Sequence, residues 1–407
     1  MNDKWLDTTI GAVALVVGGG TPRTSVAEFW GGDIPWVTPT EVTAQEGGTI
    51  FKTERSITQL GLDKSGARLL PIGSVLLTSR ATIGAVALAG CALATNQGFA
   101  SLIASERLLP KFLLYWCQAN TPEFVARAGG NTFLEISKAK VATIPMLLPP
   151  LDEQHRIVDI LEQADQVIDS ASSEVAALHT LLESSLRGEA ITARGSTSTI
   201  AGLCLAIIGG IWGLPPGQAE IDVYALGPRI FSQGSPYFST VGSPKRSVTD
   251  GQLESRLVQV DDIILERSGG GPDQPVGRVV YAPRDLEPCI PTDFMRLLRC
   301  NPELVEPRYL YWRLRGDYLA GETRSFQRQT TGINNLSVPA YLARQIEVPD
   351  RTAQTSLVGC WDSMAAAIVA ASTARDAHKQ LRTALLNDLI SGEHRIGREY
   401  DDLLEAP

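Results

Sequence analysis

The chain has 407 residues, 44% hydrophobic and 20% charged, a globular composition long enough for two to four domains. That excludes general disorder, and the longest apolar runs, Ile10–Val17 and Ile200–Trp212, are too short or too broken by Gly to give the roughly 20 residues that span a bilayer. A net charge of −9 argues against nucleic-acid binding through an overall basic field.

The opening residues, Met1-Asn2-Asp3-Lys4-Trp5, lack a basic segment followed by an apolar core, so a cytosolic, cytoplasmic protein is expected. Residues 1–150 read as a mixed α/β region. The run Ser74–Thr78 is strand-like, and Leu109–Gln118, with Pro near its start, reads as a helix. The region carries 12 Lys and Arg against 11 Asp and Glu.

Residues 151–195 carry 3 basic and 9 acidic residues and read as one long helix, from a cap at Asp152 to about Arg187, with Gly188 as its stop. Ile157, Leu161, Ala164, Ile168, Ala171, Val175, Leu178, Leu182 and Ser185 alternate spacings of four and three, a coiled-coil seam. At 1.5 Å per residue such a helix is roughly 50 Å long.

Residues 196–350 form a second mixed region, with strand-like runs Val258–Leu265 and Val276–Tyr281 and a helix over Glu306–Arg315. It is rich in Arg, which supplies 14 of its 15 cations. Residues 351–407 hold a second long helix and a tail. Leu357, Trp361, Met364, Ile368 and Ala371 begin the same rhythm. Beyond them Arg375 and His378 fall on the seam, while Ala374, Ala377 and Leu381 offer a shifted one.

The two halves match in order, at an offset drifting from 188 to 204. Gly73-Ser74-Val75-Leu76-Leu77 aligns with Asp261-Asp262-Ile263-Ile264-Leu265, and Ile83-Gly84-Ala85-Val86 with Val276-Gly277-Arg278-Val279. Phe112-Leu113-Leu114-Tyr115-Trp116 aligns with Arg308-Tyr309-Leu310-Tyr311-Trp312, and Leu186-Arg187-Gly188-Glu189 with Ile390-Ser391-Gly392-Glu393. The expected fold class is therefore α+β. Two similar mixed domains alternate with two long antiparallel coiled-coil helices, in a pseudo-two-fold internal repeat.

Catalytic signatures are missing. Gly18-Gly19-Gly20-Thr21-Pro22 and Ser268-Gly269-Gly270-Gly271-Pro272 lack the Gly-Lys-Ser/Thr of a P-loop; they read as tight turns or as backbone that approaches a phosphate. No Asp/Glu-x-Lys nuclease ending occurs, because none of the eight lysines has an acid two residues before it. The six cysteines are scattered and read as buried free thiols, and structural zinc has little support. The chain is expected to be non-catalytic.

What remains is loop chemistry of the kind that reads base edges and phosphates. In the first region the candidates are Thr21, Arg23, Thr38, Thr40, Ser79, Arg80, Thr82, Asn96, Gln97, Arg127, Asn131 and Thr132. In the second they are Lys245, Arg246, Arg267, Ser268, Arg324, Gln327, Arg328 and Gln329. Trp36, Trp116 and Trp312 read as core.

Gly31-Gly32-Asp33-Ile34-Pro35-Trp36-Val37, Thr95-Asn96-Gln97-Gly98-Phe99 and Pro149-Pro150-Leu151-Asp152-Glu153-Gln154-His155-Arg156-Ile157 resemble the target-recognition domain and following helix of specificity subunits of type I restriction–modification systems. In the second half Asp350-Arg351-Thr352-Ala353-Gln354 departs from that pattern. The resemblance implies binding of a split double-stranded DNA target, one half-site per mixed region. It implies two modification subunits docked on the helices and further restriction subunits. S-adenosylmethionine, ATP and Mg would sit in those partners, with no cofactor or metal in this chain. The competing reading is a coiled-coil interaction adaptor without sequence-specific DNA binding.

Overall fold

The structure is a computed structural model that describes residues 4–130, 134–192, 195–231, 235–269, 274–330, 333–397 and 399–400. It divides into two compact units, Met1–Asp169 with Asp376–Pro407, and Ser170–Arg375. The divisions fall inside the two long helices, Leu151–Thr192 and Arg351–Ser391, so each unit holds a mixed domain with the start of one helix and the end of the other.

In the first unit, a five-stranded sheet runs in the order Ala14–Gly18, Ala100–Ala104, Val75–Leu77, Val86–Ala89, Thr49–Ile50. A three-stranded sheet has Trp30–Val37 between Ser56–Ile57, antiparallel, and Ala94–Thr95, parallel. Leu6–Thr9 pairs with Pro145–Leu148, directly before the first long helix. Pro110 starts the helix Pro110–Ala119, as its fixed φ and missing N–H suit a first turn. Its Phe112 to Cys117 are all buried, in a core that includes Ile157 and Leu161 of the first long helix and Leu386, Leu389 and Ile390 of the second.

The second unit repeats this order of pairings. Cys204–Gly209, Met295–Cys300, Ile263–Glu266 and Val279–Tyr281 make a four-stranded sheet. Ile221–Leu226 lies between Lys245–Val248, antiparallel, and Cys289–Pro291, parallel. Ser196–Thr199 pairs with Gln345–Val348 before the second long helix. The helix Pro307–Leu319 is buried against Leu182 and Leu186 of the first long helix and Trp361, Ala365 and Ile368 of the second. An additional sheet orders Ser268–Gly269, Ile333–Leu336 and Gln327–Thr330.

Several boundaries differ from the sequence reading. The first long helix starts at Leu151, so Asp152 sits in its first turn rather than at a cap, where a carboxylate favours the positive end of the helix dipole. Gly188 does not stop it, because the helix continues to Thr192. The strand expected over Val258–Leu265 is confined to Ile263–Glu266, because a turn closed by the Asp262 amide on the Gln259 carbonyl precedes it, with Asp261 at φ +71°. Every seam position expected on the first helix is buried or half-buried. On the second, Ala374, Ala377 and Leu381 are exposed, which rules out the shifted phase; Arg375, Arg382, Leu385 and Leu389 continue the original one, with His378 exposed. Arg382 can lie there because its guanidinium donates to Asp165 and to the Gln118 side-chain oxygen, both at 2.9 Å.

The second long helix also corrects the reading of apolar runs. It contains an 18-residue window of mean hydropathy 1.4, long and apolar enough to cross a membrane on length and composition. Small residues account for this, Ala365 to Ala367 and Ala370 to Ala371 among them, and its Trp361, Ala365 and Ile368 belong to the core of the second unit.

Each mixed domain is tied to its long helix by a buried glutamine. The Gln154 side-chain oxygen accepts from the Leu109 amide at 2.8 Å, and its NH2 donates to the Arg107 and Pro149 carbonyls at 2.9 Å. Gln354 accepts from the Glu306 amide at 2.8 Å and donates to Pro349 at 2.7 Å. Stranding a buried polar group costs about 1–3 kcal/mol. Gln154→Leu strands the Leu109 amide and two carbonyls, so a loss of at least about 2 kcal/mol is expected by urea unfolding. An unchanged midpoint would show that the glutamine does not hold the domain.

Candidate nucleic-acid interface

Two groups stand out among the arginines of the second region. Arg278 is held by buried Glu266 at 2.6 Å, Arg299 by buried Asp262 at 2.8 Å, and Arg308 by Asp362 of the long helix at 2.8 Å. Arg313 and Arg344 both bind Asp317, which is 1% exposed. These five are structural cations, each compensating a carboxylate. Arg267, Arg296 and Arg328 have no ion pair among the described residues, and all three line one groove of about 740 Å³ with Ile207, Gly209 and Asn335.

Local structure explains the convergence. Arg267 follows the strand Ile263–Glu266, Arg296 lies on Met295–Cys300, and Arg328 on Gln327–Thr330. Arg267 and Arg296 both donate to the Asp293 carbonyl, at 3.4 and 3.3 Å. Burial, and then the neighbouring Arg267 charge, lower the pKa of Arg296, while Asp293 opposes the shift. Positive charges held this close and partly out of water favour an incoming anion.

Beside the groove stands an exposed aromatic. The Arg246 guanidinium lies 4.7 Å over the Trp212 ring, and Trp212 meets Phe294 edge-on at 6.3 Å. The Phe294 carbonyl in turn accepts from the Arg267 amide at 2.7 Å. Lys245 lies 5.2 Å over Tyr224.

The first unit has a smaller groove, about 470 Å³, lined by Gly18, Gly19, Arg68, Gln97, Glu135 and Lys138 among others. Thr21 donates to Gln97 at its edge. The glycines serve close packing of backbone: a Cβ on Gly19 would lie 1.9 Å from the Asn96 carbonyl oxygen. The turn reading therefore holds for this stretch. Residues Gly270 and Gly271 of the other stretch lie outside the described residues. Arg55 stacks 3.7 Å over Trp30, which contacts Trp36 edge-on at 5.0 Å.

Of the candidates, Thr21, Arg23, Thr40, Arg80, Thr82, Gln97, Lys245, Arg324 and Arg328 are exposed. Others are committed to the fold. Ser79 is 3% exposed, in the core beside the Gly98 carbonyl. Ser268 is buried, and its hydroxyl donates to the Asn335 side-chain oxygen at 2.6 Å. Thr38 forms a capping box with Glu41 on the helix Pro39–Ala44. Asn96 accepts from the Gly98 amide in a turn, at 2.8 Å. Arg80 pairs with Glu135 at 2.8 Å and Arg127 with Glu123 at 2.6 Å. Gln327 donates to the Val276 carbonyl, and Phe326, expected to be flanked by readers, packs on Tyr341 at 5.6 Å. Asn131, Thr132 and the Gln329 side chain lie outside the described residues. Trp36, Trp116 and Trp312 are buried, as expected.

Sequence reasoning missed Arg296, Trp212, Arg68, Lys138 and the Trp30–Arg55 stack. Arg296 and Arg299 share one strand, and only the position of Asp262 decides which of them stays available.

Residues 2–178 match the type I restriction modification DNA specificity domain. The likeness to that family thus lies in the first half of the chain. The match spans the Pro149-Pro150 junction and part of the long helix that follows it.

The Type I restriction enzyme MjaIX specificity subunit of Methanocaldococcus jannaschii is 35% identical over 172 residues, 42% of this chain and 40% of that protein. The EcoR124I/EcoR124II specificity subunit of Escherichia coli is 28% identical over 170 residues, 40% of this chain and 41% of that protein. The matched stretch thus spans about 40% of the curated relatives' length. Over nearly the whole chain the fold is similar to a chain solved in work on assembly and conformational transition of the type I R-M system, with TM-score 0.64, 17% identity, and coverage of 95% of this chain and 97% of that one. It is also similar to the S subunit of a type I restriction-modification system from M. genitalium, with TM-score 0.52, 14% identity and 96% coverage of each.

Thr38→Ala and Ser268→Ala should each lower stability by about 1 kcal/mol, from a lost cap and a lost buried hydrogen bond. Thr40→Ala, on the exposed side of the same helix, should leave the unfolding midpoint in place. Equal midpoints for Thr38→Ala and Thr40→Ala would remove the capping assignment.

Proposed function

We propose that this chain is the DNA specificity subunit of a type I restriction–modification complex. It binds a split, asymmetric double-stranded target, one half-site per mixed domain, and directs modification and restriction subunits to it in the cytoplasm. The observation that carries this reading is the match of residues 2–178 to the specificity domain, with a strand-pairing order that the second unit repeats apart from the edge strand Thr49–Ile50 and one added sheet.

The charge distribution supports the division of labour. The first long helix is acidic, and like charge repels phosphate, so the helices suit protein partners. The grooves and their stacked arginines suit DNA: guanidinium groups grip phosphates and read guanine, and amides read adenine. The chain itself does no chemistry in this reading. S-adenosylmethionine, ATP and Mg belong to the partner subunits, two of which, the modification subunits, dock on the helices.

Exchanging residues 196–350 for the corresponding region of another specificity subunit should change one half-site in the methylome of a host and leave the other. Change in both half-sites, or in neither, would defeat the two-module reading.

A second measurement tests the groove. Arg267→Ala, Arg296→Ala and Arg328→Ala should each flatten the salt dependence of DNA binding by about one unit where the lost contact is to phosphate, or cost about 1–3 kcal/mol at one base position where it is to a base. Arg278→Ala should instead show its main effect on stability, because it leaves Glu266 buried and uncompensated. Unchanged affinity and salt slope in all three groove variants would place the DNA elsewhere.

A further inference from the structure

Cys204 and Cys300 face each other on adjacent antiparallel strands of the four-stranded sheet. The amide of Asn301 donates to the Leu203 carbonyl at 2.8 Å, joining the residues just outside this pair. That pattern makes Cys204 and Cys300, at the edge of a register shift between Cys204 and Ala206, a non-hydrogen-bonded pair, the kind in which side chains come closest and Cα atoms of a regular ladder lie about 4.5 Å apart. The spacing falls within the roughly 4.4–6.8 Å that a disulfide spans. Both cysteines are free thiols, Cys204 half-buried and Cys300 5% exposed.

The two sulfurs are not equivalent. Cys204 is half-buried and the more accessible to a dissolved oxidant, while Cys300 is 5% exposed; the neighbouring Cys300 thiol also lowers the pKa of Cys204, against the opposing effect of burial. The Cys204 sulfur, burial and the nearby Asp262 and Asp261 charges raise that of Cys300. Cys204 also lies 3.5 Å from the Ile200 carbonyl, to which its protonated form donates. Burial raises Cys117 and Cys289 instead, the latter to about 12.

We propose that Cys204 and Cys300 form an oxidation site for hydroperoxides, with Cys204 the attacking sulfur and Cys300 the resolving one. The Cys204 thiolate attacks one peroxide oxygen. The O–O bond breaks, and a sulfenic acid forms with release of one water or alcohol. The Cys300 sulfur then attacks the Cys204 sulfur, the S–O bond breaks, and a second oxygen leaves as water. Two thiols lose two electrons and two protons, and the peroxide takes up both. The new bond would tie the strand Cys204–Gly209, whose Ile207 and Gly209 line the arginine groove, to the strand that carries Arg296. This site stands independently of the DNA-binding reading.

The test is treatment of the full-length chain with hydrogen peroxide, followed by thiol counting and non-reducing peptide mapping. The expected result is four thiols left of the six, one cross-linked peptide joining Cys204 to Cys300, and full recovery with dithiothreitol. In Cys300→Ser, Cys204 should stop at a sulfenic acid that dimedone traps. In Cys204→Ser, Cys300 should stay reduced. Oxidation confined to exposed Cys360, or six thiols surviving peroxide, would overturn the site. Oxidation of Cys300 in Cys204→Ser at the unsubstituted rate would overturn the assigned roles. The peptide map of the unsubstituted chain decides the site even where a serine variant folds poorly.

Discussion

A primary amide buried at the first turn of each long helix holds the rest of the architecture in place. Gln154 is 0% exposed and Gln354 is 3% exposed, and each is bonded on both sides of its amide to the chain that frames it. The oxygen takes the backbone amide that opens the short buried helix, and the nitrogen takes the carbonyl of the proline just before the long one. A carboxylate could not donate, and an aliphatic side chain could do neither, so glutamine suits this joint for a physical reason. Aromatic cores then build on it: Tyr115 donates to Asp165 in one unit, and Trp312 to Asp362 in the other.

Much of this frame was legible because its signals are periodic or local. The four-three spacing found the first helix, Pro110 marked the first buried short one, and collinear matches supplied its counterpart and the repeated order. The signals failed where partners are distant in sequence. The phase of the second helix was hidden because Arg375 and His378 fall on the seam; Arg382, further along it, is held by Asp165 and Gln118, 217 and 264 residues away. The reach of the first helix was misjudged because glycine permits a stop but does not impose one.

The interface was less legible than the fold, for the same reason. A Ser or Thr that contacts DNA and one that caps a helix look alike in a sequence. Thr38 resolved as a cap through Glu41, a pattern that the spacing did contain. Ser79 and Ser268 resolved as buried only once the strands around them were assembled. Arginines were harder still, since a guanidinium suits a buried carboxylate and a phosphate equally well. The sorting came from the carboxylates: Glu266, Asp262, Asp362 and Asp317 take five arginines. The three groove arginines are among those that none of these acids takes.

That sorting leaves the two grooves chemically unlike within the same strand order. The first gathers Gln97, Arg68 and Lys138 with Glu135, a mixed lining in which an acid offsets part of the positive charge. The second gathers three arginines, with Asp293 close by opposing part of their charge. A repeated scaffold with unlike linings is what the proposed asymmetric target would require: the scaffold would set how each unit approaches the duplex, and the lining what each reads. The strands and the buried glutamines are therefore free to stay the same between the halves. The side chains at the groove, which bear little of the core, are free to diverge. The cost of a change there falls on binding rather than on folding.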